Sequence, residues 1–488
     1  MIQNLDFLIL KFPCVRLLEN LFFILYQTKR SFTIQEVLDR ISNNYMMEKI
    51  KHIPENGKKR VVIIGGGFAG LKLARQLANT AYQVVLIDKN NFHQFQPLFY
   101  QVATSGLEPS SIAFPLRKIF QKRSNVHFRM ADLLEVNPNV QEIYTNLGEL
   151  KYDHLVLATG VDTNYFGNKN IEQFAIPMKS VSEAIFLRNS ILRNYEKALN
   201  ESDPEKAANY MNIVMVGGGP TGVELAGALA EMKSDILPKD YPELDFSLMN
   251  VYLFEASDRL LNGMSDVASK KAEAYLKKLG VIVKTEARVS DYDGLTIKLD
   301  SGEEFHSYTL VWAAGVIANP IKGISETAAT RGGRIRVDLC NKVAGLNQVY
   351  AIGDLSFQQE GDFQNGHPQV AQVGLQQAGN LANNLKNHLL NKSMKPFHYK
   401  DRGSLATIGK NLAVADLPGV KMQGFFAWIL WLFVHLMAIV GVKNRFFILI
   451  NWVWNYFTSD QSLRVLIRPK KRSFTDRASE KHQKINLN

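Results

Sequence analysis

From residue 60 onward the chain sets short, unbroken apolar runs before stretches of helical period, and it does so twice. Residues 61–64 are β-forming and apolar, a glycine turn follows, residues 71–77 are compatible with a helix, and a second apolar run ends in Asp88. About 150 residues later the order repeats: NIVMVGGGPTGVELAGALAEM carries strand, glycine turn and helix, and VYLFEAS ends the next run in Glu255. A Pro-containing insertion at residues 234–248 lengthens the gap before that second acid. VHFRMADLLEV and YDHLVLATG read as strands around a turn at Asn146, Leu147 and Gly148, and VIVKTEARV, LTIKLDSGEEF and LVWAAG as strands closing the second unit. This pattern predicts an α/β chain built from two Rossmann-like dinucleotide-binding domains.

The turns explain the prediction. Gly65-x-Gly67-x-x-Gly70 follows a strand and opens a helix, the context that gives a glycine motif meaning. Its first two glycines allow a tight turn and close backbone approach to a pyrophosphate, and the third allows helix and strand to pack closely. The helix N-terminus offers unpaired N–H groups and a positive dipole to the phosphates. Asp88 stands where a carboxylate meets ribose hydroxyls. Gly217, Gly219 and Gly222 repeat the spacing, and Glu255 at the strand end would accept ribose hydroxyls and repel a 2′-phosphate, favouring NADH over NADPH. Two motifs in one chain imply two different dinucleotides. Glu224, two residues past Gly222, reads either as a carboxylate stabilising the first turn of its helix or as one facing a nicotinamide.

Between these units NNFHQFQPLFYQVATSGLEPSSIAFPLRKIF reads as an aromatic loop over a planar ligand. Beyond them, NQVYAIGD is a short strand ending in an acid, and HPQVAQVGLQQAGNLANNL a helix whose Gln372 and Gln376 share one face, turned either to solvent or to a cofactor. GSLATIGKNLAVADL predicts a β-hairpin turning at Gly409, Lys410 and Asn411.

The pattern then changes. Residues 424–442 are 19 mostly apolar positions interrupted by His435, and a second apolar segment covers 446–457. Trp428, Trp431, Trp452 and Trp454 suit a lipid–water interface, and Arg464, Arg468, Lys470, Lys471 and Arg472 suit lipid headgroups. Two amphipathic helices lying on the membrane account for this better than a span; a buried helix pair covered by dimerisation is the other reading. The net charge of +11 therefore points to an anionic membrane surface, not nucleic acid. Two cysteines, Cys14 and Cys340, suit a reducing compartment and supply neither a disulfide framework nor a four-ligand zinc site, and no metal site is expected. Residues 1–57 are an extension with apolar patches at 7–10 and 17–26, each too short to span a bilayer, and with no signal-peptide cleavage site. Translation could also begin at Met46 or Met47, which would leave residues 1–45 an optional extension.

Taken together, the two nucleotide motifs, ATG, WAAG and AIGD resemble the two-dinucleotide-binding flavoproteins. PLFYQVATSGLEPSSIAFPLR, GGGPTGVELAGALAE, VYAIGD, AQVGLQQAG and FFAWILWLFVHLMAIVGVKNR are similar to one family within them, the type II NADH:quinone oxidoreductases, over residues 59–467. The resemblance implies an FAD domain (58–165 and 316–400) interrupted by an NADH domain (166–315), with a C-terminal membrane-anchoring region (401–488) and a homodimer on the cytoplasmic face of the cell inner membrane. It puts FAD pyrophosphate on Gly65, Gly66, Gly67, Phe68, Ala69 and Gly70, ribose on Asp88 beside Lys89, and ribityl on Asp354. Thr104 and Ala371 fall near the flavin. It assigns Glu224 to the nicotinamide, and Gln372 and Gln376 to a membrane quinone. Gly374 departs from the alanine many members carry. The implied chemistry is hydride transfer from NADH to FAD and electron delivery to the quinone, without proton pumping. A soluble flavoprotein reductase with another acceptor and a non-catalytic NADH-sensing scaffold are the alternatives.

Overall fold

The computed structural model describes residues 49–458 and 463–466. The expectations for the 7–10 and 17–26 patches, Met46, Met47, Arg468, Lys470, Lys471 and Arg472 lie outside them. Residues 50 and 53, assigned above to the extension, pack on the first domain: Ile50 and Ile53 are buried against Val62, Ile64 and Leu155.

Two five-stranded parallel sheets carry the molecule; four strands of each repeat one order, and the fifth, edge strand is the last in sequence in the first sheet and the first in the second. In the first, Arg60–Ile64 is central, flanked by Gln83–Asp88 and His154–Leu157, with Val126–Met130 and Val349–Ala351 at the edges. In the second, Ile213–Val216 is flanked by Val251–Phe254 and Leu310–Trp312, with Ile282–Lys284 and Ile176–Pro177 outside. Both central strands are wholly buried, as their unbroken apolar runs require. Each feeds a helix, α1 (Phe68–Leu77) and α2 (Pro220–Asp235). The chain crosses between sheets on an antiparallel strand pair, Asp162–Thr163 with Val316–Ile317. Helix α3 (Ala371–Leu389) returns to lie against α1, with Ala378, Leu381 and Leu385 in the core they share.

The aromatic segment after Asp88 is not a loop. Phe92–Gln94 pairs with Ala113–Pro115, and Phe99–Ala103 is a short helix whose Phe99, Tyr100 and Val102 are buried. Phe95, Phe99 and Tyr100 join a core with residues of α2 and of the C-terminal helices, and together with Phe92 they also line the cavity described below.

The expected hairpin forms from Ser404–Gly409 and Leu412–Leu417, and a third strand, Val420–Gln423, extends it. The 19-residue apolar stretch is then divided. Helix α4 (Phe425–Ala438) stops after 14 residues, about 21 Å of rise, and α5 (Val442–Thr458) restarts beyond Gly441, whose φ is +88°. Arg445 closes the break by donating from Nε to Ile439 O at 2.8 Å and from its guanidinium to Met437 O at 2.9 Å, carbonyls left open at the helix end. Among the described residues no helix is long and apolar enough to cross a membrane.

Candidate functional site

One cavity of about 2060 Å³ runs from the first glycine turn to the second. The turns are built alike. Gly65 and Gly217 sit at φ +105° and +113°, and a Cβ on either would collide with backbone, Ala158 O for Gly65 and Ala313 C at 2.7 Å for Gly217. Gly70 and Gly222 do not line the cavity; a side chain there would overlap the carbonyl oxygens of Gly65 and Gly217, so these glycines let each helix touch its own turn. Around Gly67 and Gly219 there is open space, and as N-caps of α1 and α2 they leave the first helical N–H groups without a capping side chain. Such cradles accept a pyrophosphate.

The acids ending the second strands brace these turns. Asp88 Oδ2 accepts from Gly66 N at 2.5 Å and Oδ1 from Asn90 N at 2.7 Å. Glu255 Oε2 accepts from Gly218 N at 2.5 Å, while Oε1 takes Ser257 N at 2.8 Å. Burial raises the Asp88 carboxyl from its ordinary value, and those two hydrogen bonds pull it back. His93, not anticipated from sequence, supports the first turn from below, its Nδ1 2.9 Å from Gly66 O. Phe68, Ala69, Lys89, Asp354 and Ala371 line the cavity with Gly65, Gly66 and Gly67. Asp354 is raised by burial, partly offset by Lys179 and Arg334. Thr104 is not in the lining; it is buried, its hydroxyl bonded to Tyr100 O at 3.0 Å where its short helix ends.

Glu224 lines the cavity but stands in the second turn of α2, because the helix begins at Pro220. A helix-terminal role is therefore excluded. Its Oε1 accepts from Thr407 N at 3.4 Å and Trp431 Nε1 at 3.2 Å, so hairpin and α4 both fasten it. Burial drives its pKa up to about 8. Trp431, expected at a lipid interface, is instead only 1% exposed, because this bond and a stack on His435 hold it inward. Trp452 is also turned in, donating to Gln101 Oε1 at 2.8 Å. Arg464, expected at headgroups, pairs with Asp240.

The two glutamines part company. Gln372 lines the cavity; its Nε2 donates to Gly403 O at 2.9 Å, and its buried Oε1 has no partner among the described residues. Gln376 is absent from the lining, since both ends of its amide are bonded to the Lys400 backbone, at 2.9 and 3.1 Å. The neighbouring Gln377 was missed by sequence. It is fully buried and accepts from Gly353 N at 2.8 Å, fixing the loop that carries Asp354. At Gly374 a Cβ would lie 3.2 Å from Gly353 Cα and 3.3 Å from Ala69 Cβ, a tight fit that a small shift of either neighbour relieves. The third wall comes from α4: Val434, His435 and Ala438.

Two phosphate cradles on one cavity, with an orphaned glutamine acceptor between backbone elements, fit a pair of dinucleotides. The family model described as pyridine nucleotide-disulphide oxidoreductase matches residues 59–378, and the NDH2 C-terminal domain matches 402–460. The class is thus the two-dinucleotide flavoproteins, with FAD as cofactor and NADH as reductant.

Among curated proteins, the chain is 34% identical over 417 residues to the type II NADH:quinone oxidoreductase Ndh of Mycobacterium tuberculosis, covering 82% of this chain and 89% of the relative. It is 28% identical to the internal alternative NAD(P)H-ubiquinone oxidoreductase A1, mitochondrial, of Arabidopsis thaliana, covering 82% and 85%. Its fold matches the structure of NDH2 from Plasmodium falciparum in complex with NADH at a TM-score of 0.78 and 21% identity, covering 84% of this chain and all of that one. The chain belongs to the type II NADH:quinone oxidoreductase family.

Proposed function

We propose that the first cradle (Gly65–Gly67 with Asp88) holds FAD, that the second (Gly217–Gly219 with Glu255) holds NADH, and that a membrane quinone is reduced where Gln372 and α4 meet. The observation that carries this reading is the continuity of the cavity, which includes both cradles, Glu224, Gln372 and His435 in one lining. FAD, when bound, supplies the hydride acceptor for NADH and the two-electron donor for the quinone. The chain contributes position and exclusion of water. Glu224 is buried beside the second cradle and, neutral through much of the physiological range, can donate a hydrogen bond to a nicotinamide amide or ribose. Gln372 Oε1 offers an acceptor at the flavin side. Lys89 and Asp354 hold the adenosine and ribityl portions in this account, with Ala371 against the flavin. The Gln376 amide belongs to the strap at Lys400 and acts on the acceptor site through it.

The anchoring proposal rests on an exposed apolar face. Phe426 (72% exposed), Ile429, Phe433 (60%) and Met437 recur along α4, and Phe446, Ile450, Val453 and Phe457 (79%) along α5. So large a patch favours insertion into the headgroup–acyl boundary, a monotopic attachment. Val434 is 40% exposed and also lines the cavity, which supports quinone reaching the site from that face. The family resemblance supports a homodimer, attachment to the cytoplasmic face of the inner membrane, and the division 58–165, 166–315, 316–400 and 401–488.

Flotation of FAD-loaded protein with anionic vesicles containing quinone, with NADH oxidation followed in the floated fraction, tests the reading. Co-flotation with quinone-dependent turnover is expected. Protein that remains at the bottom and oxidises NADH with quinone in free solution would refute the anchor while sparing the redox assignment.

A further inference from the structure

His435 is the only imidazole in an otherwise apolar helix, and it faces the cavity, not the exposed side. Its Nδ1 lies 2.8 Å from Trp431 O, one turn earlier. A carbonyl oxygen only accepts, so Nδ1 carries the hydrogen and Nε2 presents a lone pair. The ring stacks on Trp431 at 4.0 Å and 23°, and Phe95 meets it edge-on at 6.3 Å and 82°. Trp431 is held in turn by Glu224. The imidazole is thereby held in a stack on Trp431 with Phe95 edge-on to it, and among the described residues no donor reaches Nε2. Burial lowers its pKa to about 4, which keeps the ring neutral.

We propose that His435 is a specificity-determining residue that holds the reduced acceptor, its Nε2 accepting the O–H of a hydroquinone. The inference rests on the quinone reading above. Two electrons and two protons convert the two carbonyl oxygens of a quinone into hydroxyls, so groups that only accept become donors. A lone pair on the cavity wall finds no hydrogen on the quinone and one on the hydroquinone. A site built this way separates two molecules of nearly equal shape by one hydrogen bond. A purely structural role explains the Nδ1 bond to Trp431 O, but it does not explain why the helix's one imidazole is turned into the cavity with its second nitrogen open.

Three holoenzymes test this: wild type, His435→Asn and His435→Gln. Asparagine keeps a donor near Trp431 O and has no atom where Nε2 stood, whereas glutamine reaches that position. The measurements are inhibition of NADH:short-chain-quinone turnover by added short-chain hydroquinone, and turnover with ferricyanide, a water-soluble one-electron acceptor that needs no apolar pocket. The inhibition constant should weaken about tenfold in the Asn protein, the worth of one net hydrogen bond, and return close to wild type in the Gln protein, each quinone rate being normalised to the same protein's ferricyanide turnover so that any change on the NADH side through Trp431 cancels. Equal inhibition constants in all three, or equal weakening in Asn and Gln, would overturn the proposal. If the Asn protein fails to retain FAD, His435→Phe, which keeps the ring stack, replaces it in the same comparison. Wild type that turns over ferricyanide but no quinone would defeat the quinone reading itself, a distinct failure.

Discussion

Trp431 donates its indole N–H to Glu224 across 3.2 Å and 207 positions of sequence, joining the apolar C-terminal helix to the helix of the second nucleotide turn. The carboxyl that lines the cavity beside the second glycine turn is therefore set by the part of the chain that presents the exposed apolar face. Trp431→Phe leaves that buried oxygen with the long bond from Thr407 N alone. Loss of about 1–3 kcal/mol of stability is expected, the cost of an under-satisfied buried group, together with weaker NADH binding and unaltered FAD content. Denaturant melts and NADH titration of the purified protein check this; unchanged NADH affinity would break the proposed link.

Glu224 also sets a pH dependence. Its folded pKa, raised to about 8 by burial, lies above the ordinary carboxylate value of 4.5. The native state keeps a proton that the unfolded chain releases, so this contribution is fully present below about pH 4.5 and is lost as pH rises through 8. Glu231, seven residues along α2 and raised by burial to about 7, acts in the same direction. Thermal melts of ligand-free protein should fall between pH 5 and 8, and Glu224→Gln should flatten that fall without abolishing it. A slope identical to wild type would show that Glu224 is ionised in the folded state.

The glycine turns should fail independently. Gly65→Ala forces a Cβ into Ala158 O at a positive φ, and the flavin absorbance of the purified protein should drop severely. Gly217→Ala has the same conflict with Ala313, and should retain FAD while losing flavin reduction by NADH. Retained reduction by NADH in the Gly217 variant would contradict the division of nucleotides between the cradles.

The strand–glycine–helix units were legible because their chemistry is local: an apolar run, a turn only glycine can make, and an acid at the next strand end. Glu255 was readable despite the insertion, since its strand still ends beside Gly218. The acceptor side was less legible. Gln372 and Gln376 share a helix face, yet the strap from Lys400 to Gly403 bonds them differently, and nothing in helical spacing announces a strap. Trp431 and His435 carried a signal, an aromatic and an imidazole one turn apart in an apolar helix. The composition of that segment pointed outward to lipid instead, and which tryptophan turned inward depended on Glu224, 207 residues away.

The glutamines yield a graded prediction. Gln372→Ala removes an acceptor from the cavity and should slow the quinone half-reaction with flavin reduction by NADH intact. Gln376→Ala loosens the Lys400 strap and should impair the same half-reaction to a smaller extent, measured as a rise in KM for quinone. Quinone reduction unchanged in a folded Gln376→Ala protein would remove that residue from the account.

Membrane attachment should depend on the exposed apolar face. Replacing Phe426, Phe433 and Phe457 by serine should release the protein from anionic vesicles, because each loses about 1.5–3 kcal/mol of apolar burial, with turnover on a water-soluble acceptor preserved. Persistent binding would assign the attachment elsewhere.

The central claim, two half-reactions in one cavity, is tested most directly by anaerobic stopped-flow absorbance of the FAD-loaded protein. Mixing with NADH should bleach the flavin band, mixing with NADPH should do so far more slowly, and a short-chain quinone added next should restore it rapidly. A band that bleaches with NADH and does not return on quinone addition would contradict the account.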